Sequence, residues 1–134
     1  MAVGFAAFQL MFHSRHMHRD LEMVYVNRYW ELMDGRSSQF VLTQEPTEED
    51  QATVFKYLQL CEDELDLRSL ARVTDSTWGF WAQSIYAQTA IPAYAKTLES
   101  LGPTVFPSLS RLVTSGPAFD PLTRGFIWRK IHGL

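Results

Sequence analysis

His13, His16 and His18, followed by Asp20 and Glu22, are the residues whose types best suit a transition metal. On a helix His13 and His16 share a face and His16 reaches Asp20 one turn on, but His18 points to the far side. Zinc needs three or four protein ligands at one centre, so this stretch alone predicts a polar boundary segment rather than a metal site. Glu62, Asp63, Glu64 and Asp66 are the second place to look for chemistry, as a carboxylate dyad. Such dyads need one partner shifted by burial. Only Glu62 and Asp66 stand at i,i+4, and the spacing predicts a solvated face flanking an apolar stripe, or partners for Arg68 and Arg72. No Glu-x-x-His pair is present, so a carboxylate-bridged di-iron bundle is not indicated.

Cys61, the single cysteine, falls on the apolar stripe, where a thiol behaves as a small inert hydrophobe. It can form no internal disulfide and no cysteine-built zinc site. A nucleophilic cysteine wants a nearby histidine or lysine, and all four histidines lie near the chain ends. The chain has no G-x-S-x-G, no phosphate-binding glycine loop and no G-x-G-x-x-G. No cofactor is expected. Trp78 and Trp81 share a helical face and are read as core, with a ligand or partner groove as the alternative.

Positioning these residues falls to a series of helices. With 134 residues, 46% of them hydrophobic and 20% charged, the chain suits one globular domain and is not disordered. The net charge of −3 comes from residues 41–75, which hold nine acids against three bases. Nowhere do Lys and Arg cluster densely enough for a phosphate backbone, so nucleic acid is not an expected partner.

Residues 16–34 carry apolar positions at helical spacing (Leu21, Val24, Tyr25, Leu32), and Gly35 suits the residue after a helix. Residues 35–47 read as a connection that Phe40, Val41 and Leu42 could pin to the core. Thr47, as N-cap with three acids behind it, opens a helix over 48–71 striped by Val54, Tyr57, Leu58, Cys61 and Leu65. Thr74 or Asp75 caps the next, with Trp78, Trp81, Ala82 and Ile85 inward. The short Arg72–Thr74 turn predicts an antiparallel hairpin of these two, with Trp81 the more buried indole. Further helices start at Pro92, ending at Gly102-Pro103, and at Pro107, ending near Thr114. Asp120-Pro121 is expected to cap a last one reaching His132. No run alternates with period two for long enough to form a sheet.

The run Tyr57-Leu58-Gln59-Leu60-Cys61-Glu62-Asp63-Glu64, with Leu67, Arg68, Val73 and Trp78-Gly79-Phe80-Trp81, resembles a motif of a loosely defined group of uncharacterised bacterial helical proteins. Tyr29-Trp30-Glu31-Leu32-Met33-Asp34 fits the same group, and the likeness spans about residues 20–90. Ala71 and Val73 depart from it, standing where the group usually has Gly and Ile. The resemblance implies a helical fold and an N-terminal membrane-spanning helix in many members; it implies no activity.

Residues 1–12 are apolar apart from Gln9, and a basic flank follows at His13–Arg19. Twelve residues of helix reach about 18 Å, short of the roughly 30 Å hydrocarbon core. The segment is expected to be a buried turn or an oligomer contact, with an interfacial anchor or the tail of a spanning helix that starts upstream as the alternative. The expected protein is therefore an all-α, single-domain bundle of four to six helices, with residues 1–15 an apolar leading segment and 16–134 the helical domain. Its expected role is a non-enzymatic interaction or structural module, cytoplasmic and at the inner face of the membrane. It would meet a protein partner or a second copy through Trp78, Trp81, Phe5 and Phe8, and a membrane surface through residues 1–12. The competing expectation is a metal-dependent or hydrolytic helical enzyme using residues 62–66 and an N-terminal histidine.

Overall fold

Val54, Leu58 and Leu65 are wholly buried, and Tyr57 and Cys61 nearly so, which puts the expected stripe at the centre of the molecule. The computed structural model describes the backbone of residues 2–134 and the side chains of residues 9 and 13–134. The chain is all-α, a single domain with seven helices among the described residues: α1 (Ala2–Asp34), α2 (Ser38–Thr43), α3 (Asp50–Ser69), α4 (Asp75–Thr89), α5 (Pro92–Val105), α6 (Pro107–Ser115) and α7 (Phe126–Ile131). Among the described residues no helix is long and apolar enough to cross a membrane. Phe5 and Phe8 lie outside the described side chains.

Helix α2 forms inside the expected connection because Ser37 caps it, its hydroxyl accepting the Phe40 amide at 3.1 Å. Only Phe40 is pinned to the core; Val41 and Leu42 face solvent. One buried carboxylate joins this turn to the start of α3. Asp50 accepts the amides of Ser37 and Thr47, each at 2.8 Å, and both of their hydroxyls. Burial alone would raise the Asp50 pKa, but these hydrogen bonds together outweigh it and hold the carboxyl far below the usual range.

Helix α3 ends in a Schellman motif. The Arg72 amide donates to the Leu67 carbonyl at 2.9 Å and the Ala71 amide to the Arg68 carbonyl at 3.0 Å. That geometry requires a left-handed residue, and Ala71 has φ of 60°. A β-carbon in this conformation costs about 1–2 kcal/mol, while glycine's extra freedom in the unfolded chain returns about half of that. Ala71→Gly should therefore stabilise the protein by about 0.5–1 kcal/mol. A lowered denaturation midpoint in urea would contradict this reading of the turn.

Carboxylates from neighbouring helices secure the starts of two others. Glu22 of α1, buried, accepts the hydroxyl of Thr74, the residue before α4, at 2.8 Å. Glu62 of α3, also buried, accepts the amides of Ser108 and Leu109 at 2.9 and 2.7 Å, where the α6 dipole is positive. Pro107 begins α6 without needing a donor. The chain breaks at Gly102 as the sequence predicts: φ 70° and ψ −173° is a conformation essentially restricted to glycine.

Two expectations need correction here for identifiable reasons. The last helix starts at Phe126, capped by Gly125, and not at Asp120-Pro121. The Asp120 carboxylate is already taken by the Arg68 guanidinium and by the amide of Leu122 at 2.9 Å, so it closes a local turn instead. In the expected α3–α4 hairpin the two helices do not pack closely against each other. The near neighbours of α3 are α1, α5 and α6, and α4 leans on α5 and α6. Both stripes share one core, yet the axes of α3 and α4 stand apart.

Candidate functional site

The space left between α3 and α4 is roofed by α1 and forms a cleft of about 260 Å³. Helix α1 contributes Tyr25, Val26, Tyr29 and Trp30; α3 contributes Tyr57 and Glu64; α4 contributes Phe80, Trp81, Ser84 and Ile85. Helical periodicity accounts for the convergence. Tyr25 and Tyr29 are one turn apart, Tyr57 and Glu64 two turns apart, and Trp81, Ser84 and Ile85 follow at three- and four-residue steps. The rings brace each other: the Tyr29 centroid lies 6.3 Å from that of Tyr57, and that of Tyr25 6.4 Å from that of Trp81. Two large aromatic residues of the lining are left to solvent, Trp30 at 57% exposure and Phe80 at 72%.

Glu64 is the single ionisable carboxyl in this lining and is only 7% exposed. Burial, aided by the neighbouring charge of Asp63, pushes its pKa up to about 8. Burial likewise raises the Tyr57 hydroxyl and the Cys61 thiol well above their ordinary values. At neutral pH the site is thus an aromatic cleft around a mostly protonated carboxyl. A strongly perturbed acid in a concave, largely apolar site is the usual mark of a functional position.

The acidic group of α3 is therefore divided among roles, which corrects the expected solvated face. Glu62 caps α6, Asp63 accepts the Gln59 side-chain amide at 3.1 Å, Asp66 stays exposed and Glu64 turns inward. The sequence did contain a signal for Glu64. It stands three residues after Cys61, seven after Tyr57 and four before Arg68, on the buried stripe itself. The expected acid partner of Arg68 comes from neighbouring segments and not from Glu64 one turn back. Arg68, 1% exposed, pairs with Asp120 at 2.7 Å and Asp75 at 2.9 Å.

The two indoles separate in the same way. Trp81 lines the cleft, while Trp78 lies beneath the 116–122 segment with its N–H donated to the Phe119 carbonyl at 3.2 Å. Trp78 is the more buried, 4% against 8%, the reverse of the expected order, because Trp81 borders open space. The histidines do not meet the acidic helix. His16 reaches only Asp20, 3.7 Å away at the surface, and His18 contacts the carbonyl of His132 at 3.1 Å. No histidine lines the cleft, and no group of three metal-capable side chains converges among the described residues. No family model, curated protein or solved structure matches the chain.

Proposed function

We propose that the chain is a non-enzymatic interaction module that receives an apolar or aromatic group of a protein partner, or of a second copy, in the α1–α3–α4 cleft. The observation that carries this reading is the exposure of Trp30 and Phe80 on a cleft whose remaining walls are aromatic. Tryptophan and tyrosine dominate binding energy at interfaces, and a folded chain ordinarily covers such rings when they serve only its core. The apolar run of residues 1–12 and its basic flank support a site of action beside a membrane, which sedimentation with anionic vesicles would test.

The neutral apolar fluorophore N-phenyl-1-naphthylamine tests the cleft directly. Saturable binding that quenches tryptophan emission is expected. The Trp30→Ala/Phe80→Ala variant should bind at least tenfold more weakly while its stability changes by no more than about 1 kcal/mol, as for surface substitutions. Absence of saturable binding to the wild type would overturn the reading.

Glu64 also favours a second reading, since a carboxyl titrating near 8 suits general acid–base work. That reading supports the competing hydrolytic enzyme, though with Glu64 in place of an acid–histidine pair. In it Glu64 would activate a water or the Ser84 hydroxyl, which shares the cleft, and not Cys61, which is packed in the core with its thiol pushed up by burial.

A further inference from the structure

We propose that the cleft holds a methylated ammonium group, with Glu64 as counter-ion and the surrounding rings as walls. The inference rests on the cleft being a binding site and names what it selects. A purely apolar guest would leave the protonated Glu64 carboxyl without a hydrogen-bond partner, and an anion would oppose its ionisation, whereas a cation favours the carboxylate. Glu64 is more than nine-tenths buried and lines the cleft, and no hydrogen bond offsets its desolvation. A cation restores what burial removes. Aromatic faces attract a cation through their quadrupole, most strongly where water is excluded. The cleft offers the rings of Tyr25, Tyr29, Tyr57 and Trp81 for this. One of them already engages a positive group, the Arg28 guanidinium lying 5.0 Å from the Tyr25 centroid.

Methylation follows from the polar inventory. A primary ammonium is strongly hydrated and brings three donors, but Glu64, the Ser84 hydroxyl and the tyrosine hydroxyls aside, the walls are apolar and mostly aromatic. A trimethylated head brings no donors, is weakly hydrated and presents methyl groups to the rings. A volume of about 260 Å³ admits such a head on a short stem, and it is smaller than sites for drug-sized ligands.

Binding must expel the Glu64 proton, so affinity should rise with pH up to about 8 and then level off. The groups facing Glu64 are Tyr57, Cys61 and Asp63 of α3 and Tyr25 and Tyr29 of α1; α4 presents no titratable group to the cleft. Burial holds Tyr57 and Cys61 neutral through this range, leaving Glu64 to set the profile.

The test is a tryptophan-fluorescence titration of the full chain with choline and with its neutral isostere 3,3-dimethylbutan-1-ol, at pH 6.5 and 8.5. At pH 8.5 choline should bind at least tenfold more tightly than the isostere, and more than tenfold more tightly than at pH 6.5. Glu64→Gln should keep isostere binding, which also reports an intact cleft, and lose both the choline preference and its pH dependence. Phosphatidylcholine vesicles separate the sources of the group. Vesicle binding competed by free choline assigns a lipid headgroup, and choline binding without vesicle binding assigns a soluble or peptide-borne one; either upholds the proposal. Equal binding of choline and isostere, or an unchanged preference in Glu64→Gln, overturns it while leaving the cleft an apolar binding site. If neither the isostere nor N-phenyl-1-naphthylamine binds, both readings fall.

Discussion

Arg68→Met is expected to destabilise the protein by about 3–5 kcal/mol, the cost of leaving buried charges without their partner. Arg68 forks onto Asp120 through Nε and Nη2 at 2.9 and 2.7 Å, and its Nη1 donates to the Val73 carbonyl at 2.9 Å. The same Nη2 lies 2.9 Å from Asp75, which Lys130 approaches to 3.2 Å. One side chain thereby fastens the end of α3, the start of α4 and the 116–122 segment that covers Trp78. Its loss strands the Asp120 carboxylate and the buried Val73 carbonyl together and leaves Asp75 to Lys130 and Arg129 alone. Urea denaturation measures the effect, and a change below about 1 kcal/mol would show that the network adds little. Arg68→Met/Asp75→Asn/Asp120→Asn should recover much of the loss, because removing all the charges also removes their desolvation.

Between pH 5 and pH 8.5 the wild type is expected to lose about 4 kcal/mol of stability through Glu64 alone. The sign follows from the direction of the shift. The folded state holds the Glu64 proton more tightly, with a pKa raised from 4.5 to about 8, so this contribution is complete below 4.5 and fades as pH rises towards 8. Glu64→Gln, neutral at every pH, should flatten that slope and exceed the wild type in stability at pH 8.5. Asp50 and Asp75 act in the opposite direction. Burial would raise both, but hydrogen bonds at Asp50, and at Asp75 the hydrogen bonds and charges of Arg68, Lys130 and Arg129, lower them below the ordinary 3.8. Their contributions are present above that value and lost as pH falls below it, which places the stability maximum near pH 5. Urea midpoints measured from pH 4 to pH 9 for both proteins check the profile; equal slopes would refute it.

Periodicity along the chain was enough to locate α1 through the core-facing half of its length, α3, α4, α5 and α6, because each carries an apolar stripe and a Pro or Gly boundary. It was not enough for α7. Asp120-Pro121 is a sound local start signal, but a buried arginine 52 residues away competes for the same carboxylate and prevails. Local pattern likewise implied that a short turn brings α3 and α4 into direct contact. Their bulky faces are instead filled from α1, and that long-range choice opens the cleft. Trp81 was legible as either core or groove and is both, a buried ring on the cleft wall. Glu64 was missed for a physical reason. Acids flanking a stripe are usually solvated, and the three-dimensional placement of Tyr25, Tyr29 and Trp81 leaves Glu64 facing only a narrow aromatic cleft. Glu62, one turn away from Asp66, reads identically in sequence and turned out to serve the α6 amides.

The central claim is that α3 carries a buried carboxyl, without an ion partner, inside an aromatic cleft. Carbon-detected NMR of the glutamate side-chain carboxyls through a pH titration, with Glu64→Gln to assign the signal, tests it most directly. The Glu64 carboxyl is expected to titrate near pH 8, well apart from the remaining glutamates. A midpoint near 4.5 would place Glu64 in water and contradict the account.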